Sequence, residues 1–243
     1  MFQFFVEPEQ ILNEEVQIMG SDVNHIKNVL RMKIGEHVRV SDNQGANFLC
    51  EIIKINNEQV ILKILEECEG TELPVKVTLF QALPKGDKME WVIQKAVELG
   101  VYEIIPVVMK NCVVKLDAKK AETKRVRWQA IAESAAKQCK RSLIPQIGEV
   151  RDFSKAVTYA RSMDIPLFPY EQARGMAYTR EVLHGIKKGA SIGIFIGPEG
   201  GFSSEEIEMV QDDMALISLG NRILRTETAG MVALAMLIYE MEN

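Results

Sequence analysis

The spacing of hydrophobic positions along this chain changes once, near residue 75. Before that point, residues 2–6, 37–41, 48–55 and 60–65 are rich in Val, Ile and Phe. Asp42-Asn43-Gln44-Gly45 and Asn56-Asn57-Glu58 fall between them as hairpin turns, so a small, mostly β domain is predicted over residues 1–70. One helix interrupts the strands: Ser21 or Asp22 can cap it, and Ile26, Val29 and Leu30 share a face before Gly35. Residues 67–74 read as a linker. After it, extended and helical patterns alternate, which is the mark of an α/β layer on a parallel sheet.

The first unit of that layer is a strand over 75–83. A helix follows, with Asp87 and Glu90 as capping box, Met89, Val92, Ile93 and Ala96 on one face and Gly100 as its end. A strand over 102–108 precedes a long helix over 119–140, which turns Trp128, Ile131 and Ala135 inward and basic residues outward. Leu143-Ile144-Pro145 then opens another extended segment. Helices over 153–162 and 179–187 and a short strand over 166–169 complete the middle of the chain.

Composition fits a folded globular protein: 243 residues, 47% hydrophobic and 26% charged, more than one average domain needs. Residues 1–10 have no basic residue and no apolar core ahead of a cleavage site, so no secretory signal is expected. The longest apolar run, 231–239, is too short to span a membrane, which takes about 20 residues. Cys50, Cys68, Cys112 and Cys139 show no CxxC spacing and no paired histidines, so neither zinc nor a redox pair is expected, and reduced thiols in a cytoplasm are the simplest account. The net charge of −5 speaks against a nucleic-acid partner until its distribution is considered. Between residues 110 and 141, ten Lys or Arg face three acids, a local +7 that leaves −12 for the remainder.

The candidate chemistry lies near the C-terminus. An apolar strand over 192–196 enters Gly197-Pro198-Glu199-Gly200-Gly201, and Ser203 with Glu206 forms a capping box for the helix that follows. Glycines without Cβ let backbone groups approach a ligand closely. The glycines lack the Lys-Ser/Thr of a P-loop and the GxGxxG spacing of a dinucleotide site, so neither ATP nor NAD is favoured. A second strand over 215–219 breaks at Gly220 and leads through Asn221-Arg222-Ile223-Leu224-Arg225-Thr226-Glu227-Thr228-Ala229 into the terminal helix. Thr226 and Thr228 suit helix capping, a role compatible with ligand contact. Two arginines beside a glycine loop suit an anion, either an RNA phosphate or a developing oxyanion.

GPEGGFS at 197–203 and LGNRILRTETA at 219–229 resemble the cofactor motifs of the RsmE family, the 16S rRNA uridine N3 methyltransferases of the SPOUT superfamily. His25 with Val29-Leu30-Arg31, residues 88–106, and Gln138-Cys139-Lys140-Arg141 with Pro145 extend the resemblance over nearly the whole chain, although Lys140 stands where many relatives carry a small residue. The resemblance implies an α/β fold in which a PUA-like, RNA-binding β-barrel at 1–70 precedes a SPOUT-type methyltransferase domain at 74–243, knotted as a trefoil at its C-terminus. It implies S-adenosyl-L-methionine as cofactor, held by Ile196, Gly197, Pro198, Glu199, Gly200, Gly201, Leu219, Gly220, Arg222, Ile223, Leu224, Thr226 and Thr228. Arg225 or Arg141 is the implied catalytic residue, with Glu199 and Glu227 as alternative proton acceptors. Lys27, Arg31, Lys33, Arg39, Lys124, Arg125, Arg127 and Lys140 are the candidate RNA contacts. The expected partner is 16S rRNA or the small ribosomal subunit, the expected assembly a homodimer in the cytoplasm, with no membrane and no metal. Another RNA target, a nucleotide-binding α/β enzyme and a non-catalytic RNA-binding protein are the rival readings.

Overall fold

A computed structural model describes residues 1–173 and 175–242. The chain divides into two compact units: Met1–Glu72 with Ala136–Ile144, and Leu73–Ala135 with the chain from Pro145 onward.

The first unit is built on one six-stranded sheet. Its strands are β1 (Gln3–Phe5), β2 (Ile11–Leu12), β3 (Glu15–Met19), β4 (His37–Ser41), β5 (Asn47–Ile55) and β6 (Gln59–Glu67), in the order β1-β4-β5-β6-β3-β2. Only β1 and β4 pair in parallel. The alternation of Val16 and Ile18, Val38 and Val40, Cys50 and Ile52, and Val60 and Leu62 puts one face of each strand into the core. Cys50 is buried there, and burial, reinforced by nearby Cys68, pushes its thiol up to about 12, so it stays protonated.

The early helix differs from its sequence pattern. Helix α1 (Ser21–Asn24) starts after Gly20 at φ +71° without the expected Ser21 or Asp22 cap, and continues over His25–Val29 as a wider turn. Leu30 N–H donates to the His25 carbonyl at 2.8 Å, five residues back. In that register Ile26 and Leu30 face the core, while Val29, expected beside them, is 61% exposed.

Ala136–Ile144 joins this unit through a polar cluster. Glu72 accepts from Arg141 Nε at 2.9 Å and from Ser142 N–H at 2.8 Å, and pairs with the terminal nitrogen Nη2 of Arg141 as well. Gln3 donates to the Arg141 carbonyl, Ser41 to that of Ser142 at 2.5 Å and Thr71 to that of Lys140 at 2.9 Å. Lys140 holds φ +62°, and Arg141 N–H returns to the Ala136 carbonyl at 3.0 Å, closing the preceding helix with a left-handed C-terminal cap. That conformation favours glycine, which explains why a small residue suits this position.

The second unit is an α/β layer. Its strands are β7 (Lys76–Ala82), β8 (Glu103–Val108), β9 (Gln146–Ile147), β10 (Arg151–Asp152), β11 (Ile165–Pro169), β12 (Ser191–Ile196) and β13 (Ala215–Ile217). They pair in parallel in the order β10-β8-β7-β12-β11-β13, with β9 also on β8. The helices are α2 (Lys88–Glu98), α3 (Ala118–Cys139), α4 (Phe153–Ala160), α5 (Met176–His184), α6 (Ser204–Val210) and α7 (Thr226–Met241). Phe80 of β7 stacks on Phe195, its register partner in β12, with ring centres 4.4 Å apart, supporting the pairing of the two central strands side by side. Strands succeed one another outward from β7 to β8 and β10, whereas β12 returns to the far side of β7. A sheet that changes direction in this way leaves a crevice at its carboxyl ends.

One local expectation fails here. Asp87 is at the N-cap of α2 but makes no side-chain cap, and Glu90 binds Arg127 at 2.9 Å in place of closing a box. The terminal helix is apolar on every side over residues 229–238: Gly230, Ala233, Leu234 and Leu237 are buried, Met231 and Ile238 only partly, and Ala235 is exposed. Among the described residues, no helix is long and apolar enough to cross a membrane.

Candidate functional site

Strand β12 ends at Ile196, where the chain turns through Gly197–Gly201. A Cβ on Gly197 would lie 3.0 Å from the Phe202 ring and one on Gly200 3.1 Å from Asn111 Cβ, while Gly201 holds φ +69°. A side chain at 197 or 200 would crowd its neighbour and one at 201 would strain the backbone, so glycine suits all three positions and leaves their backbone uncovered. Asn111 fixes it by donating to the Gly200 and Gly201 carbonyls at 3.2 and 3.0 Å. The Ser203–Glu206 capping box forms as expected, and the same Glu206 carboxylate accepts from Lys110 N–H at 2.8 Å. Beside it, hydrogen bonding to Lys110 holds the Glu205 carboxyl down at about 2.

The second loop leaves β13 through Ser218, which is clamped at both backbone groups by the buried Thr179 hydroxyl of α5. Arg222 and Ile223 are exposed, Ile223 to 87%, and Arg225 occupies the N-cap of α7 without a side-chain cap. Thr226 does not cap the helix. Its hydroxyl donates to the Gly197 carbonyl at 2.7 Å and accepts from Gln81 Nε2 of β7 at 3.0 Å, so one side chain ties both loops to the central strand. Replacing it by valine keeps the shape and leaves the Gly197 carbonyl without that partner. A loss of about 1–3 kcal/mol in urea unfolding is expected, with serine restoring most of it. Equal stability of the valine variant would remove Thr226 from this role.

The loops line an open cleft of about 800 Å³ at the carboxyl ends of β11, β12 and β13. Ile196 through Gly201 border it, as do Leu219, Gly220, Arg222, Ile223, Leu224 and Thr226, all singled out from sequence. Thr228 does not; it is exposed on the first turn of α7. Arg225 is on the cleft. Arg141, the other catalytic candidate, is corrected: it is 3% exposed in the first unit, its guanidinium bound to Glu72, which makes it a structural residue. Sequence reasoning missed the Pro169–Gln172 wall that follows β11, together with Phe202, Ser218, Ala229 and Lys88. The β11 pattern was visible, but its place beside β12 was not.

Lys88, the first residue of α2, reaches Glu199 of the first loop at 3.4 Å and Glu227 of α7 at 3.2 Å. Partial burial pushes the Glu199 carboxyl up, but hydrogen bonds from its own and the Lys85 backbone N–H and from Lys88 outweigh it, leaving it below its ordinary range. An acid held ionised and already bonded is a poor proton acceptor.

The candidate RNA contacts divide between the units. Lys27, Arg31, Lys33 and Lys140 are exposed in the first unit, where Arg39 is half-buried and donates to the Glu69 carbonyl at 3.3 Å. Lys124 lies over the Trp128 ring, and Arg125 and Arg127 pair with Glu122 and Glu90. Four of the ten cations between 110 and 141 (Lys110, Arg127, Lys137 and Arg141) pair with carboxylates outside that stretch, so the local excess of +7 overstates the field offered to a phosphate.

Comparison with known proteins adds chemistry to this geometry. An RNA methyltransferase domain matches residues 71–238 and an RNA methyltransferase PUA domain residues 18–65. The ribosomal RNA small subunit methyltransferase E of Bacillus subtilis (strain 168) is 37% identical over 250 residues, covering 100% of this chain and 98% of its own. The protein of that name from Buchnera aphidicola subsp. Schizaphis graminum is 34% identical, covering 93% and 91%. The crystal structure of a ribosomal RNA small subunit methyltransferase E from Neisseria gonorrhoeae bound to S-adenosyl methionine matches with a TM-score of 0.82 at 28% identity, covering 98% and 97%.

Proposed function

The chain belongs to the ribosomal RNA small subunit methyltransferase E family, and from that membership we propose that it transfers the methyl group of S-adenosylmethionine to N3 of one uridine in 16S rRNA. The observation that carries this reading is the single cleft onto which both glycine loops open, tied together by Thr226. Its lining fits the cofactor: closely packed glycine backbone offers N–H and C=O groups to polar edges, and Ile196, Leu219, Ile223 and Leu224 offer apolar surface to an adenine ring.

S-adenosylmethionine supplies an electrophilic methyl on a sulfonium. The chain's own task is to align the acceptor and stabilise the charge it develops. Uracil N3 lies on the Watson–Crick edge, so the target must be unpaired or extruded. As N3 gives up its proton to solvent, negative charge spreads to the flanking oxygens. Arg225, exposed on the cleft at the start of α7, stabilises that charge as a donor and cannot act as a base.

In the same reading the PUA-like unit grips RNA through Lys27, Arg31, Lys33, Arg39 and Lys140, with Lys124, Arg125 and Arg127 contributing from α3. The C-terminal segment forms a trefoil knot. The protein works in the cytoplasm as a homodimer, for which the partly exposed apolar side of α7, with Tyr239 75% exposed, is the supporting surface.

Labelled S-adenosylmethionine incubated with small ribosomal subunits from cells lacking the modification tests the reading. Transfer of label to 16S rRNA is expected. Bound cofactor without transfer to subunits or free rRNA would remove the substrate, and absence of cofactor binding would remove the enzyme class.

A further inference from the structure

Besides the two glycine loops, the cleft is bordered by Lys88, the first residue of α2. Strand β7 ends at Ala82, and after it Lys85 N–H donates to Glu199 at 3.1 Å. The buried residues Met89, Val92, Ile93 and Ala96 anchor α2 in the core, so the Lys88 backbone is held firmly. Its ammonium lies within 3.4 Å of one carboxylate oxygen of the first loop and one of α7. Both acids are mostly shielded, with side-chain exposures of 27% and 18%, so solvent screens them less than it would a surface pair.

We propose that Lys88 is a positioning residue for methyl transfer: by holding Glu199 and Glu227 together, it sets the separation of the two loops and keeps the cleft in the form that accepts S-adenosylmethionine. This role rests on the proposed methyltransferase function. Thr226 joins Gly197 to the head of α7 by neutral hydrogen bonds; Lys88 joins the same two segments by charge, from α2. Without the ammonium, two carboxylates near each other repel while both are ionised, and protonation of one relieves the repulsion. The other charged or titratable groups around them are Lys85 and Asp87 just ahead of α2, Arg225 at the head of α7, Cys112, whose thiol is pushed up by burial and, less, by Glu206 and Glu199, and Glu171 and Arg222 along the cleft. Neither Lys85 nor Arg225 makes an ion pair with Glu199 or Glu227 among the bonds of the described residues, so Lys88 is the cation that bridges them.

The test is calorimetric titration of the full chain with S-adenosylmethionine at about pH 7.5, for the unchanged protein, Lys88→Met and Lys88→Arg. Each is paired with a melting curve without cofactor and with KM and kcat for methyl transfer. Lys88→Met is expected to bind about tenfold more weakly, with KM raised and kcat at saturation little changed. Lys88→Arg is expected to stay within about threefold of the unchanged chain. A folded Lys88→Met that binds like the unchanged protein, or a loss that falls on kcat or is not rescued by arginine, would overturn the positioning role alone. No binding by the unchanged chain would overturn the methyltransferase reading and this role with it.

Discussion

Replacing Arg225 with alanine is expected to slow methyl transfer at saturating RNA and cofactor by about 10²–10³-fold, the usual cost of removing one donor from a charge that develops in the transition state. Cofactor affinity should change little. Arg225 sits at the N-cap of α7 through its backbone, and its side chain makes no cap bond, so the loop and the Thr226 bridge do not depend on it. The extended backbone of the N-cap leaves the guanidinium exposed on the cleft, unlike Arg141, which is sealed against Glu72. Single-turnover kinetics with RNA in excess separate two roles for the cation. A lost rate with retained RNA affinity marks charge stabilisation. Weaker binding with a flatter salt dependence and normal turnover marks a phosphate contact instead, and would contradict the assignment.

Glu72→Ala is expected to be strongly destabilising, costing about 3–5 kcal/mol, because it removes the carboxylate that Arg141 Nε and Nη2 bind at a site where Arg141 is buried. It also removes the acceptor of Ser142 N–H, and with it the hold on the Ala136–Ile144 segment that completes the first unit. Urea unfolding measures the loss, and amide exchange in β1 and β4 reports whether it falls in the first unit. An Arg141→Met, Glu72→Leu double variant should recover much of it, since an apolar pair leaves no stranded charge. A Glu72→Ala chain as stable as the unchanged protein would show that the pair contributes nothing net.

Local pattern was enough to read much of this fold, and most of the failures share one cause. Residues 37–41 coincide with β4, and the change of period near residue 75 matches the passage from a mostly antiparallel sheet to a parallel one. The two glycine loops were legible because strand, glycine and helix follow one another within a few residues, and both line the cleft. Strand β3 was missed although Val16 and Ile18 alternate, since five residues ahead of a helix give little periodicity. The remaining misses are partners distant in sequence. Thr226 resembles a helix cap until Gly197, 29 residues away, takes its hydroxyl. Glu90 resembles a capping box until Arg127 arrives from α3. Lys88 and Glu199 are 111 residues apart, and Glu72 and Arg141 69 apart. A side chain's choice between a local bond and a distant one depends on packing that no short window contains.

The measurement that tests the central claim most directly is the identity and position of the methylated nucleoside in small-subunit RNA treated with this protein and S-adenosylmethionine, read by nucleoside mass spectrometry and reverse transcription. The account predicts 3-methyluridine and one new stop in 16S rRNA, because a methyl on N3 blocks pairing. A different methylated nucleoside, or label spread over many positions, would contradict it.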